Sequence, residues 1–256
     1  MTFYKYQGTG NDFIMIDNRS LAFDAKDLDR VKKLCDRRFG IGADGLILIQ
    51  EHTDADFEMV YFNADGSQSF CGNGSRCAVA FAKSLGMIDR KCDFIAIDGD
   101  HTATIDEQNQ VSIRMNAVTG IEKIGEDLFI NTGSPHYIHY VADVNQEDVV
   151  AYGKSIRYND RFKAEGTNVN IVHREGGELW VRTYERGVED ETFSCGTGVT
   201  AVAVSAHHLG FGSDSFPIIT KGGTLKIELE CVGEGQYKNI WLIGPATFVF
   251  KGEVDA

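Results

Sequence analysis

The alternation of apolar and polar positions indicates a chain built mainly from β-strands. Stretches rich in β-branched and aromatic residues are typical of strands. Six of them are Phe57–Phe62, Phe94–Ile97, Val111–Met115, Leu179–Tyr184, Leu225–Leu229 and Asn239–Ile243. The sequence therefore favours a strand-rich fold with few helices.

Three stretches interrupt this pattern and are predicted to be helices. Gly74–Leu85 and Gly198–Leu209 are rich in alanine and contain no proline or interior glycine, which favours a helix. A glycine follows each of them, where a helix C-terminus is expected. Leu28–Phe39 is predicted to be a third helix.

The chain contains an internal repeat. Thr9–Ile14 recurs as Thr132–Ile138, Arg38-Phe39 as Arg161-Phe162, and Cys71–Gly74 as Cys195–Gly198. Three segments in the same order at an almost constant spacing indicate two similar halves. We therefore predict an α+β fold of two pseudo-symmetric domains, 1–117 and 118–246, each a β-sheet or barrel around a central helix, with the active site at the domain interface.

Composition and charge narrow the range of partners. The formal net charge of -13 argues against nucleic acid and anionic membrane surfaces, because both require a basic patch. The N-terminal segment has no apolar core of a signal peptide, and no stretch reaches the roughly 20 apolar residues of a membrane span. We expect a cytoplasmic protein whose six cysteines are thiols and, because no Cys-x-x-Cys pair occurs, no structural zinc site.

Two of the cysteines are in a position that suggests chemistry. Cys71 and Cys195 each begin a Cys-Gly-x-Gly segment that leads directly into a predicted helix. Backbone N–H groups and the positive end of the dipole at a helix start favour a thiolate and also bind a carboxylate. If the two starts face each other, two thiols can act on opposite sides of one α-carbon, one as base and one as acid. A single cysteine of this kind is more often incidental; two at equivalent places of a repeat favour catalysis.

The same segments resemble the diaminopimelate epimerase family. The resemblance rests on Gly8–Phe13, on Asn63–Ser67 followed by Cys71–Cys77, and on Glu185–Gly187 followed by Glu191-Thr192 and Cys195–Gly198. It implies a PLP-independent and metal-independent isomerase that converts LL-diaminopimelate to the meso form, in lysine and peptidoglycan precursor biosynthesis. It also implies that the C-terminal strand, 247–256, returns to the first domain.

The resemblance assigns roles to particular residues. It implies that Cys71 and Cys195 are the catalytic acid and base, that His136 and Glu185 adjust their pKa values, and that Phe250 helps to form a homodimer. The substrate-binding residues that it implies are Asn11, Asn63, Gly72, Asn73, Asn168, Glu185, Arg186, Gly196 and Thr197. Arg186 would bind a carboxylate through two hydrogen bonds.

Plainer interpretations exist for several of these residues. Asn63 could simply form a turn, and Glu185 and Arg186 could be an ion pair. Arg37-Arg38 is expected on a solvated helix face, and Cys77 is expected in the core. The chain departs from the common family pattern at Ser134, at Gly45 and in a longer loop before Cys195, which affects individual substrate contacts.

Three other functions compete with the epimerase. Another two-thiol racemase on the same fold could act on proline, hydroxyproline or a different amino acid. A redox sensor could use Cys71 and Cys195 as a reversible disulfide. A binding module without catalysis is disfavoured, because both cysteines and both glycine-rich helix starts are present.

Overall fold

The computed structural model describes residues 1–255, and strands account for most of its regular structure. The helices in this part are α1 (Leu28–Cys35), α2 (Gly72–Ser84), α3 (Val149–Arg157) and α4 (Gly196–His208), with a short 3-10 turn at Val144–Gln146. The strands are β1 (Thr2–Gly8), β2 (Asn11–Asp17), β3 (Gly45–Gln50), β4 (Phe57–Asn63), β5 (Lys91–Ala96), β6 (Gly99–Ile105), β7 (Gln110–Met115), β8 (Ile121–Ile124), β9 (Asp127–Asn131), β10 (Pro135–Tyr140), β11 (Asn168–Glu175), β12 (Glu178–Glu185), β13 (Asp190–Thr192), β14 (Ser215–Thr220), β15 (Gly223–Gly233), β16 (Gln236–Pro245) and β17 (Thr247–Glu253). The predicted β-rich fold with few helices is confirmed.

The chain divides into two compact units. The first comprises Met1–Ile113 together with the residues from Gly244 onward, and the second comprises Arg114–Ile243. The chain leaves the first unit after Ile113 and returns to it at Gly244, whereas the limits predicted from the sequence are 117 and 246.

In the first unit, β1 is paired on both sides. It is antiparallel to β2, the next strand in the chain, and to β17, the last one, with Lys5 opposite Phe250. Strand β2 is parallel to β3, and β3 is antiparallel to β4. Strand β4 is parallel to β5, and β5 is antiparallel to β6. The C-terminal strand is therefore part of the first unit.

The second unit repeats this pairing scheme. Strand β9 is antiparallel to β10, which is parallel to β11; β11 is antiparallel to β12, which is parallel to β14. Phe13 lies opposite Gly45 in the first unit, and His136 lies opposite Asn168 in the second. Both members of the first pair lie 123 residues before their counterparts, so the sequence repeat corresponds to a structural one.

A buried helix lies against the strands of each unit. Helix α2 packs on β1 to β4 and β6, and α4 packs on β9, β10, β11 and β15. Both helices are buried through most of their length, which explains their alanine-rich sequences: small side chains let strands approach from several sides. Both helices begin two residues earlier than predicted, directly after Cys71 and Cys195.

The third predicted helix is shorter than expected. Helix α1 ends at Cys35 rather than at Phe39. The Asp36 carboxylate accepts hydrogen bonds from the backbone N–H groups of Arg38 and Phe39, both at 2.7 Å. Such a side-chain turn competes with helical hydrogen bonding. Arg37 and Arg38 therefore do not lie on a helix face.

Helix α3 was not predicted, because valines and an interior glycine are poor helix formers. Asp148 caps it by accepting a hydrogen bond from the N–H of Ala151 at 3.0 Å, and Val149 packs in a cluster with Tyr184. Gly153 is required here: a Cβ at this position would lie 2.3 Å from Cγ of the Tyr184 ring. Among residues 1–255, no helix is long and apolar enough to span a membrane.

Candidate active site

Cys71 occupies the N-cap position of α2. Its backbone is extended, and its Sγ accepts a hydrogen bond from the N–H of Gly74 at 3.3 Å. The amides of Gly72 and Asn73 belong to the first helical turn, where the helix itself supplies no acceptor. The half-buried thiol therefore lies beside N–H groups that favour negative charge.

Asn11 is the predicted binding residue that lies next to this thiol. Its Oδ1 is 3.6 Å from Cys71 Sγ and 3.4 Å from Nδ2 of Asn73. Its Nδ2 donates to the Asp44 carboxylate at 2.6 Å. Because a carboxylate only accepts, Asp44 fixes the amide so that its oxygen faces Cys71.

An ion-pair network that the sequence analysis missed supports Asp44. Arg37 Nη2 lies 2.7 Å from Asp44 and 2.6 Å from Asp12, and Lys5 Nζ lies 2.7 Å from Asp12. Burial opposes ionisation of Asp12, but hydrogen bonds from Arg37 and Lys5 outweigh it and lower its pKa to about 2. The prediction of a helix face for Arg37 was wrong, because α1 ends at Cys35. The Arg37 side chain is 58% exposed, as predicted, but its guanidinium is held by these two carboxylates.

Asn63 ends strand β4 and closes a turn. Its Oδ1 accepts from the Tyr61 hydroxyl at 2.7 Å, and its Nδ2 donates to Ser67 Oγ at 3.0 Å and Ser69 Oγ at 3.3 Å. These bonds fit the turn interpretation and fix the amide at the edge of the strand. A ligand at Asn63 would have to share or replace the serine contacts.

Cys195 occupies the N-cap position of α4 with the same extended backbone as Cys71. Its side chain is buried, and its Sγ lies 3.5 Å from Thr197 Oγ1. The carbonyl of Thr197 accepts from the Thr132 hydroxyl at 2.9 Å, which ties the helix start to the repeated Thr-Gly segment. Gly196 and Thr197 form the first turn, as Gly72 and Asn73 do in α2.

His136 is fully buried in β10. Burial lowers its pKa to about 3, and the positive charge of Arg186 acts in the same direction. The imidazole is therefore neutral at ordinary pH. Its Nδ1 lies 3.2 Å from Nδ2 of Asn170, a buried residue that the sequence analysis did not single out.

Asn168, Glu185 and Arg186 meet where β10 and β11 begin and β12 ends. Asn168 Oδ1 accepts from the backbone N–H of Arg186 at 2.9 Å, and its Nδ2 donates to Ser134 Oγ at 2.9 Å. The hydroxyl of Thr192 donates to Glu185 at 2.9 Å. Ser134, one of the positions at which the chain departs from the family pattern, thus holds the amide of Asn168.

The guanidinium of Arg186 is exposed and, within the described residues, donates one hydrogen bond, to the carbonyl of Glu165 at 2.9 Å. Within the described residues it forms no ion pair with a carboxylate, so the interpretation of a simple Glu185–Arg186 pair is not supported. A Cβ on Gly166 would lie 2.6 Å from Arg186 Cδ and 2.8 Å from Arg157 Cζ. The side chains of Arg186 and Arg157 thus lie against one glycine. Arg157 is paired with Glu189 at 3.3 Å, so Arg186 supplies the guanidinium that is left for an anion there.

Cys77 and Phe250 are the remaining residues that the sequence singled out. Cys77 is buried in α2, as predicted, and burial raises its pKa to about 12. Phe250 lies on β17, opposite Lys5, and is 45% exposed. In the described part of the chain, no three His, Cys, Asp or Glu side chains are grouped as a metal site requires.

Comparison with solved structures defines the class of fold. The chain superposes on a PhzF-family phenazine biosynthesis protein of Bacillus anthracis with a TM-score of 0.78 at 12% identity, covering 100% of this chain and 99% of that one. A hydroxyproline epimerase of Agrobacterium vitis gives a TM-score of 0.67 at 13% identity, covering 98% and 91%. The fold is therefore that of the class to which these proteins and a proline racemase belong.

Sequence comparison gives the family within that class. The family model described as Diaminopimelate epimerase matches residues 3–121 and 128–249. A protein of Flavobacterium psychrophilum with that name is 49% identical over 254 residues, 98% of this chain and 99% of that protein. One of Aquifex aeolicus is 38% identical over 278 residues, 99% and 98% respectively. The chain belongs to the diaminopimelate epimerase family and is an isomerase.

Proposed function

We propose that the chain interconverts LL- and meso-diaminopimelate through two cysteine thiols, without pyridoxal phosphate or a metal ion. The observation that carries the proposal is that Cys71 and Cys195 occupy the N-cap positions of equivalent helices in two repeated units. The names of the relatives supply the substrate. The geometry around the two cysteines supports the proposed mechanism.

The reaction needs a base on one face of the α-carbon and an acid on the other. One cysteine, as thiolate, removes the α-proton: the C–H bond breaks and an S–H bond forms. The electron pair is delocalised into the substrate carboxylate. The other cysteine, as thiol, delivers its proton to the opposite face and becomes the thiolate. The product therefore has inverted configuration, and the two cysteines have exchanged protonation states.

The transition state carries extra negative charge on the reacting carboxylate. N–H groups of the first turns, at Gly72, Asn73, Gly196 and Thr197, would stabilise that charge. Removing such a weakly acidic proton requires strong stabilisation of this kind, because no cofactor delocalises the charge in this mechanism. Each cysteine and the first turn of its helix form a half-site. The mechanism requires both half-sites to bind the same substrate molecule.

The distal end of the substrate is a second amino acid with its own carboxylate. We assign that carboxylate to Arg186, whose exposed guanidinium donates to the Glu165 carbonyl and forms no ion pair in the described residues. A guanidinium binds a carboxylate through two parallel hydrogen bonds. Asn11, Asn63, Asn168 and Glu185 would bind the remaining polar groups, and His136 and Glu185 would influence the thiols.

The test is turnover in D₂O with reductant and a chelator. The protein should convert LL-diaminopimelate to the meso form with deuterium at the α-carbon, and should leave proline and hydroxyproline unchanged. Exchange of another amino acid instead would keep the chemistry and overturn the substrate. No exchange of any amino acid by folded, reduced protein would turn the interpretation toward a redox role for Cys71 and Cys195.

We further propose that the enzyme is a cytoplasmic homodimer that contacts neither nucleic acid nor membrane. Phe248 and Phe250 are about half exposed on β17, so this strand presents aromatic surface that a second copy could cover. Sedimentation velocity should give a dimer for the wild type and a monomer for Phe250→Asp. A monomeric wild type would overturn the assignment.

A further inference from the structure

The side chains packed against the first turn of α2 differ chemically from those packed against the first turn of α4. A Cβ added to Gly74, three residues after Cys71, would lie 3.1 Å from Cδ1 of Ile47. A Cβ added to Gly198, three residues after Cys195, would lie 2.6 Å from Oδ1 of Asn170. Ile47 and Asn170 are equivalent in the repeat, so an apolar side chain in one unit is an amide in the other.

The difference extends to the neighbouring strands. In the first unit, Phe13 on β2 and Tyr61 on β4 contact each other, with ring centroids 5.9 Å apart, and Tyr61 lies opposite Ile47. In the second unit the equivalent of Phe13 is His136, and Thr183 lies opposite Asn170. His136, Asn170 and Thr183 are all buried, with exposed fractions of 0%, 0% and 3%. Buried polar groups are costly unless they are hydrogen-bonded, so this replacement points to a function.

The hydrogen bonds of Asn170 determine its orientation. One amide atom lies 3.2 Å from the carbonyl oxygen of Tyr137, which can only accept, so this atom is Nδ2. The other, Oδ1, accepts from the Thr183 hydroxyl at 3.0 Å. The Nδ2 group also lies 3.2 Å from Nδ1 of His136, so Nδ1 must accept. In a neutral imidazole the proton is then on Nε2.

The Nε2–H group has no partner of its own. It is buried and, within residues 1–255, has no hydrogen-bond acceptor. Burial and the charge of Arg186 keep the ring neutral. Orphaned buried N–H groups are rare in native structures, and each calls for an explanation such as an acceptor supplied by a ligand.

We propose that Asn170, itself oriented by Thr183, is a positioning residue that holds His136 in its Nε2–H tautomer, so that His136 offers one neutral N–H donor to an anionic oxygen or sulfur in the Cys195 half-site. This inference rests on the proposed function, since the anion is the substrate carboxylate or a thiolate. A neutral donor stabilises the anion without itself acting as an acid. The first unit has no equivalent donor, because Phe13 and Ile47 stand in the corresponding places. The two half-sites are therefore unequal by construction.

The direct test is nitrogen NMR of protein labelled with ¹⁵N in its histidines. His136 is assigned by the loss of its signals in His136→Gln. The wild type should have a protonated Nε2 and an unprotonated Nδ1 without any substrate present. A protonated Nδ1 in the wild type would overturn the inference, whether or not the protein has epimerase activity.

Variants of the supporting residues separate positioning from packing. Asn170→Asp replaces the donor by an acceptor at the same place, so Nδ1 should become protonated. Thr183→Ser keeps the hydroxyl and should keep the wild-type tautomer and kcat, whereas Thr183→Val should lower kcat with little change in KM. We expect Asn170→Asp to lower kcat about 10- to 100-fold, the value of one hydrogen bond to a charged group.

Each outcome of the variant series bears on the inference. An Asn170→Asp protein with the wild-type tautomer would refute the positioning role. Should that variant not fold, Asn170→Leu serves, since leucine matches the apolar side chain at the equivalent position, and there a mixture of tautomers is expected. A wild-type protein with the expected tautomer but no turnover of diaminopimelate would keep the positioning role and overturn the proposed function.

Discussion

A single methyl group added at equivalent places of the two units should have unequal effects. At Gly74 the new methyl of alanine would meet the far end of Ile47 at 3.1 Å, and that end can move by a few tenths of an ångström. At Gly198 it would meet Asn170 Oδ1 at 2.6 Å, which is too close for any real contact. Asn170 cannot move cheaply, because Thr183, Tyr137 and His136 hold both ends of its amide.

The expected magnitudes follow from these contacts. Alanine is favoured over glycine in a helix by up to about 1 kcal/mol, which offsets the mild crowding at Gly74. Overpacking at Gly198 costs about 1–3 kcal/mol. Displacing the amide would cost roughly 1–3 kcal/mol more, because Thr183 and His136 lose a partner. We therefore expect Gly74→Ala to change the free energy of unfolding by less than about 1 kcal/mol. Gly198→Ala should lower it by about 1–5 kcal/mol, after the same helix preference of about 1 kcal/mol is subtracted.

Urea unfolding followed by two probes can test this difference. Far-UV circular dichroism reports both units, whereas the two tryptophans, Trp180 and Trp241, both lie in the second unit. Gly198→Ala should lower the tryptophan-detected midpoint, and Gly74→Ala should not. Equal destabilisation by the two substitutions would refute the claim that the first turn of α4 packs against a fixed polar cluster of Asn170, Thr183 and His136.

Three further changes test other parts of the account. Asp44→Asn should lower kcat/KM about 10-fold, because the amide of Asn11 is no longer fixed, while the circular dichroism spectrum stays unchanged. An unaltered kcat/KM would contradict a catalytic role for the orientation of the Asn11 amide. His136 binds a proton on unfolding between its folded pKa of about 3 and its ordinary value of 6.5. The stability that its neutral form contributes is thus present above about pH 6.5 and is lost as the pH falls toward 3. Across this window, the free energy of unfolding of the wild type should rise with pH by about 1.4 kcal/mol per pH unit more than that of His136→Gln. Equal slopes for the two proteins would show that the buried ring does not titrate as proposed. Iodoacetamide at pH 8 should label the exposed Cys231 of the native protein but should label Cys77 only after denaturation, because burial raises the pKa of Cys77 to about 12. Mass spectrometry of peptides measures the labelling, and labelling of Cys77 in the native protein would contradict this prediction.

Much of the fold could be predicted because the repeat is visible in the sequence. Two alanine-rich stretches after Cys-Gly-x-Gly are the two buried helices, and their true starts lie two residues before the predicted ones. The six predicted strands all occur. These elements are strongly patterned, so local sequence was sufficient to identify them.

The errors have local physical causes. The helix predicted for Leu28–Phe39 stops at Cys35, because the carboxylate of Asp36 binds the amides that would continue it. Helix α3 has an unfavourable sequence and depends on tertiary packing, with Gly153 pressed against the ring of Tyr184. Propensity alone does not reveal a helix that is stabilised in this way.

The candidate site was only partly visible. Asn11 beside Cys71 came from the family resemblance, but Asp44 and Arg37 are brought to Asn11 by sheet register and a turn, which spacing along the chain does not disclose. A signal for the second unit did exist. Aligning the repeats places His136 and Asn170 opposite Phe13 and Ile47, and buried polar residues in place of apolar ones mark a functional difference.

The central claim is that two thiols carry out one inversion. The most direct measurement compares epimerisation of LL-diaminopimelate with α-hydrogen exchange in D₂O for the wild type, Cys71→Ala and Cys195→Ala, all reduced and shown to be folded. The account predicts deuterated meso product from the wild type and no epimerisation by either variant. Sustained epimerisation by one of the two variants would contradict it, because a single remaining thiol cannot reach both faces of the α-carbon.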